Sequence, residues 1–212
     1  MRLFPNTPWP ILCQYAVSIY HVYQILFCGV WVIGVGVSEV TQNAIIDYIT
    51  DFTIAYYVCD MIFITLVCLK EQLMYLPHHI LALTLGLAIR SGMFVKWTAA
   101  EYMLVIEASN AFFGVWDLCR KNRKDSPYCQ NWYRVLSALV FATYIPLRTI
   151  GLGWATYNMF VDMDPSLGLP FQGVLTISLG LIYAMSVYFS MTMTRMMIYI
   201  FFTKQLVVHF EE

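Results

Sequence analysis

The sequence predicts an all-α polytopic membrane protein, a bundle of six transmembrane helices. Three observations predict it. Charged residues make up only 12% of the 212-residue chain and hydrophobic ones 60%, whereas a soluble domain carries roughly 25% charged residues. Six apolar segments approach the ~20 residues that a helix needs to cross a bilayer. The loops between them alternate in charge. The period-two alternation of a membrane barrel is absent from the segments.

The first segment, residues 11–37, is long enough to be a span itself rather than a cleaved leader. Ser18, His21 and Cys28 fall on nearly one helical face, with Gln24 at its border. The second, 52–69, clusters Thr53, Tyr56, Tyr57 and Asp60 on one side. The third, 78–95, is opened by "PHH", with Pro77 at a first-turn position where its missing N–H costs nothing. A tight turn from Gly92 to Thr98 leads to the fourth, 99–118, where Glu107, Asn110, Gly114 and Asp117 are spaced as one face. The fifth, 133–160, carries Tyr144 and Arg148 one turn apart. The sixth, 171–202, carries a stripe of Tyr183, Ser186, Ser190 and Thr194. The last two are long enough to tilt. No repeat divides the chain, so residues 1–212 form a single membrane domain.

Loop charge sets the orientation. Arg2, Lys70, Arg120, Lys121, Arg123, Lys124, Arg134 and Lys204 fall on one side. Arg90 and Lys96 fall on the other, with Glu39, Asp47, Asp51, Asp162 and Asp164. Both termini and the "RKNRKD" loop are therefore expected in the cytosol, and the basic loop is first a topology signal. A net charge of −1 provides no field to attract nucleic acid. The cysteines at 13, 28, 59, 68, 119 and 129 lack paired metal-ligand spacing and read as small packing residues.

Ionisable groups inside hydrocarbon are costly and mark function by default. Hydroxyls there are more often glue between helices. Asp60, His78, His79, Glu107 and Arg148 therefore carry the functional expectation, and a shared interior is where the polar stripes meet. A lone guanidinium in hydrocarbon is expensive, so Arg148 is expected to pair with Asp60 or Glu107. The helix dipole disfavours an imidazolium at the start of the third helix. Neutral imidazole is the form that acts as base, nucleophile or ligand. Adjacent residues point about 100° apart, so one histidine can face the bundle axis while the other meets a neighbouring helix. An adjacent pair seldom chelates one ion, no HxxxH or HExxH spacing follows, and no metal is expected. No serine sits on a nucleophile elbow. Ion transport lacks inverted-repeat or broken-helix signs.

The "HH" opening the third helix, "EASNAFFG" (107–114) and "FATYIPLRTIG" (141–151) resemble the TLC-domain family, which includes the ceramide synthases. The aromatic–x–x–Asp element from Tyr57 to Asp60 is similar too. The resemblance covers about 50–202. Ala111 and Gly114 stand where the family pattern carries proline and asparagine. The resemblance implies that the helices surround a central lipid-binding cavity, as a bundle or helical barrel, in the endoplasmic reticulum. It implies transfer of a long-chain acyl group from acyl-CoA, as co-substrate, to an amine-bearing lipid, with no resident cofactor. His78 or His79 would then serve as base or nucleophile, oriented by Glu107 or Asp60. Tyr57, Ser109, Asn110, Arg148, Tyr183 and Ser186 would line the substrate. The basic loop could meet the CoA phosphates. A non-catalytic lipid-binding protein or regulator of membrane lipid composition stays open beside the N-acyltransferase, as does a homodimer.

Overall fold

The computed structural model describes residues 4–34, 37–67 and 76–199. Arg2, Cys68, Lys70, Lys204 and the end of the expected sixth span lie outside these residues. Among the described residues the regular structure is helical throughout: α1 (Trp9–Gly34), α2 (Glu39–Val67), α3 (Leu76–Arg90), α4 (Lys96–Asn110), α5 (Phe113–Asn122), α6 (Pro127–Pro146), α7 (Leu152–Val161) and α8 (Leu169–Ile198). A π-helical turn, Leu147–Gly151, joins α6 to α7.

Among the described residues four helical stretches are long and apolar enough to cross a membrane: Trp9–Val32, Glu39–Val67, Pro127–Val161 and Leu169–Ile198. The remaining expected spans are shorter. α3 and α4 have 15 residues each, about 22 Å at 1.5 Å per residue, against a hydrocarbon core of about 30 Å. The expected fourth span, 99–118, is interrupted at Ala111–Phe112, which separates α4 from α5.

The second helix begins at Glu39 rather than near 52. Asp47 and Asp51 do not stop it because cations across the helix pair satisfy them. Arg90 Nε donates to Asp51 Oδ1 at 2.7 Å, and Lys96 Nζ to Asp47 Oδ2 at 2.7 Å. Acidic and basic residues read as loop charges thus clamp α2 to the α3–α4 turn. Gly92 in that turn has φ +76°, a left-handed conformation that favours glycine.

The proline at 146 explains the π turn. Proline lacks an N–H and its ring crowds the carbonyl one turn back. Downstream the ladder widens, and the Leu152 N–H bonds to the Leu147 carbonyl five residues back. Such bulges often sit at functional sites; this one carries Arg148.

Beside an apolar core, large apolar side chains face outward and several ionisable ones face inward. Val17, Phe27, Ile62, Trp154, Phe171 and Ile177 are exposed, whereas His21, Asp60, His79, Glu107, Arg148 and Ser186 are buried. A continuous apolar exterior suits lipid as solvent. Among the described residues two smaller apolar clusters, around Ile49 and around Ile46, join α1, α2 and α4, and two larger ones hold α3 to α8 together. One of the larger clusters joins Leu85, Ile89, Tyr102, Ile106, Leu152 and Leu179 across α3, α4, α7 and α8. The other joins Trp116, Cys129, Tyr133, Val140, Tyr144 and Met193 across α5, α6 and α8. Along α8 the first ends at Ile182 and the second begins at Met193. The polar site faces the stretch between.

Candidate functional site

Several hydroxyls are satisfied within their own helix, Thr194 of the expected stripes among them, whereas Thr53, Tyr183 and Ser186 bond to other helical segments. Thr50, Ser137, Thr149 and Thr194 each donate to the carbonyl four residues earlier, at 2.6–2.8 Å. This local bonding removes them from consideration as chemistry.

The ionisable residues behave differently. α1, α2, α3, α4, α5, α6, the π turn and α8 enclose a cavity of about 440 Å³ whose wall includes Asp60, His78, His79, Glu107, Asn110 and Arg148. Tyr57 and Ser186 line it as well. Ser109 and Tyr183 do not. Ser109 is fully buried behind Arg148 and donates to the Ile106 carbonyl. The Tyr183 hydroxyl donates to the Thr149 carbonyl at 3.2 Å, and its ring packs on the apolar cluster of α3, α4, α7 and α8.

His79 Nδ1 stands 3.1 Å from Asp60 Oδ2, and both side chains are buried. The separation is that of an ion pair, but Nδ1 makes no hydrogen bond of acceptable geometry among the described residues. The contact is a close approach without a hydrogen bond, and becomes an ion pair when the ring is protonated. The other Asp60 oxygen accepts from Gln14 Nε2 at 2.9 Å. Tyr57 packs edge-on to His79, with ring centroids 5.2 Å apart. His78 also reaches the cavity. The two ring centroids are 5.6 Å apart, with the ring planes inclined at 70°.

Glu107 enters the cavity from α4. His21 Nδ1 is 4.0 Å from Glu107 Oε1, and His21 Nε2 is 3.3 Å from Thr53 Oγ1. His21 stacks on Tyr56 at 4.0 Å between centroids. The site therefore contains a third histidine that the sequence reading placed only in a stripe, and Gln14, which it did not single out. His21 carried a usable signal, an ionisable side chain mid-span. Gln14 carried none, because only the packing of α1 on α2 brings it to Asp60.

Arg148 corrects an expectation. Among the described residues no carboxylate lies within ion-pair distance of it. Its Nε donates to Ser109 Oγ at 2.6 Å, Nη1 to Ser186 Oγ at 3.2 Å, and Nη2 to Asn110 Oδ1 at 3.0 Å and the Ile106 carbonyl at 3.5 Å. The link to Glu107 runs through Asn110, whose Nδ2 donates to Oε2 at 3.4 Å. The π turn directs Arg148 toward α4 and α8, whereas Asp60 is already held by α1 and α3. Removing the arginine orphans no carboxylate. Arg148→Met is therefore expected to cost about 1–3 kcal/mol, the range for lost charge-assisted hydrogen bonds, and less than a broken buried ion pair, about 3–5 kcal/mol. Thermal unfolding in detergent measures it.

One end of the cavity meets the basic segment. Arg120 and Lys121 line it beside Asp117. Both are engaged: Arg120 Nη2 donates to Asp117 Oδ1 at 2.6 Å, and Lys121 Nζ lies 3.2 Å from Oδ2. Tyr15 donates to Asp117 and accepts from Lys121. Gly114 and Asp117 reach the cavity from α5, not from the face of one unbroken fourth helix. At the far end of the molecule the loop before α8 is pinned by Asp164. The Ser166 backbone N–H donates to its Oδ1 at 2.8 Å, which holds that carboxyl below its ordinary range.

Among the described residues no three His, Cys, Asp or Glu side chains are grouped to hold a metal ion. The arrangement offers imidazoles beside a buried carboxylate, a buried guanidinium in the same cavity, and apolar walls from Ile19, Val22, Ile64, Met185 and Phe189. Comparison of the chain with family models, with curated proteins and with solved structures finds no match.

Proposed function

We propose that this is a TLC-type membrane protein that crosses the endoplasmic reticulum membrane six times and transfers a long-chain acyl group from acyl-CoA to an amine-bearing lipid. The observation that supports this reading is that His78, His79, Asp60 and Glu107 share one cavity with apolar walls. In the reaction the amine nitrogen attacks the thioester carbonyl carbon. A histidine accepts the amine proton as the bond forms. The carbon–sulfur bond then breaks, and the departing thiolate takes up the proton. His79 suits the base, with Asp60 3.1 Å from Nδ1 to stabilise the ring when protonated.

α3 and α4 serve as the third and fourth crossings, with α5 extending the fourth past its break. That places the loop after α5 and both termini in the cytosol, where acyl-CoA arrives. Cysteines introduced singly at Asp125 and Pro165 are expected to label from opposite sides of sealed vesicles. Labelling of both from one side removes the six-crossing arrangement.

One observation favours the non-catalytic alternative, a lipid-binding protein or regulator of membrane lipid composition. Arg120 and Lys121 are both tied to Asp117, which leaves less charge for CoA phosphates. Turnover decides between the readings. Purified protein with a long-chain acyl-CoA and a sphingoid base is expected to form the amide and release free thiol. Retained lipid with no amide from any acyl-CoA and amine pair selects the regulator.

A further inference from the structure

Among the described residues the guanidinium of Arg148 has no carboxylate in direct contact. It is 5% exposed. All its hydrogen-bond partners are neutral oxygens: two serine hydroxyls, a backbone carbonyl and an amide. Such acceptors satisfy N–H groups without cancelling the charge, and an uncompensated charge in a low-dielectric site is costly. Among the described residues the cavity carboxylates do not contact the guanidinium. Asp60 accepts from Gln14 and stands beside His79, and Glu107 reaches Arg148 only through Asn110. At the cavity end, the Arg120 and Lys121 cations share Asp117.

A guanidinium has five N–H groups, and the bonds above occupy one on Nε, one on Nη1 and both on Nη2. The remaining N–H is on Nη1, beside Ser186, which lines the cavity. The Tyr144 ring lies 5.3 Å from the guanidinium carbon, so part of its surface is covered. One N–H left on a guanidinium that touches no carboxylate among the described residues matches a monoanion that accepts a single charge-assisted bond. The cavity volume, about 440 Å³, falls within the range of small-molecule sites, and Ile19, Val22, Met185 and Phe189 offer apolar walls to a chain.

We propose that Arg148 is the anchor for a long-chain carboxylate: a free fatty acid binds in the cavity with one carboxylate oxygen on Arg148 Nη1 and Ser186 Oγ. This rests on the reading of the cavity as an acyl-chain site and adds a ligand class and a recognition residue to it.

The test compares palmitate with hexadecanol, which has the same chain and no charge, by competitive retention on the purified full-length protein in neutral detergent, read by native mass spectrometry. The wild type is expected to prefer palmitate by about tenfold or more, the discrimination of one charge-assisted hydrogen bond. Arg148→Gln is expected to erase the preference and leave hexadecanol retention unchanged, and Arg148→Lys to keep part of it. Where Arg148→Gln fails to fold, Ser186→Asp decides. It keeps the guanidinium but supplies an internal carboxylate beside Nη1, so the preference should again vanish. Equal retention of both ligands by the wild type overturns the proposal. So does a preference that survives Ser186→Asp, or a loss of both ligands together, which is obstruction rather than charge. Stronger retention of hexadecyl phosphate than of palmitate overturns the carboxylate assignment. The assay needs no turnover. A carboxylate preference without amide formation leaves this site standing and removes only the transferase. Amide formation without the preference does the reverse.

Discussion

His79→Gln is expected to lower acyl transfer by a factor on the order of 10² or more, the contribution of a positioned general base. The argument is local. His79 is buried, 3.1 Å from Asp60 and packed against Tyr57. Glutamine has similar reach and keeps a hydrogen-bonding group toward Asp60. It cannot accept a proton near neutral pH. Lipid co-purification and monodispersity should therefore persist while amide formation is lost. His78→Gln is the paired measurement. A loss confined to position 79 assigns the base to the ring beside Asp60; a loss confined to 78 moves it to the neighbour. Full activity in both variants excludes histidine chemistry. Collapse of both variants in detergent would make the pair a structural network and remove the enzyme reading.

Trp116→Ala is expected to destabilise the fold by about 3–5 kcal/mol, the range for emptying a buried aromatic site. Trp116 is 2% exposed at the centre of the cluster that binds α5 to α6. Its Nε1 donates to Ser137 Oγ at 2.9 Å, its ring stacks on Tyr133, and Arg120 covers it at 5.5 Å. In a membrane protein the lost term is mainly packing, because lipid is as apolar as the core. Ser137 still donates to the Tyr133 carbonyl after the change, so the void dominates the cost. A large fall in the thermal midpoint in detergent is the expected reading. An unchanged midpoint would mean that α5 docks independently of this ring.

The residues that line the cavity were largely visible in the primary structure. Asp60, His78, His79, Glu107 and Arg148 stand out because each is ionisable within an apolar run. Pro77 announces the start of α3, and Asn110 follows Glu107 at helical spacing. The partners of these residues were less visible. Asp47 and Asp51 read as loop charges, yet lie within α2 opposite Lys96 and Arg90. The expectation that Arg148 meets a carboxylate followed from charge balance alone. It failed because the turn after Pro146 directs the guanidinium toward Ser109, Asn110 and Ser186.

The sequence by itself determined the class: helical, apolar on the outside, with titratable groups drawn inward. Composition and helical period act within one segment, where the cost of burying charge can be read residue by residue. The tertiary structure alone decided which groups meet. Gln14 reaches Asp60 across 46 positions and His21 approaches Glu107 across 86, separations set by how helices pack rather than by spacing. It also decided that the fourth segment breaks at Ala111–Phe112 and that, among the described residues, no carboxylate contacts Arg148 directly. Both follow from side chains on several helices competing for the same partners, a balance that no single segment contains.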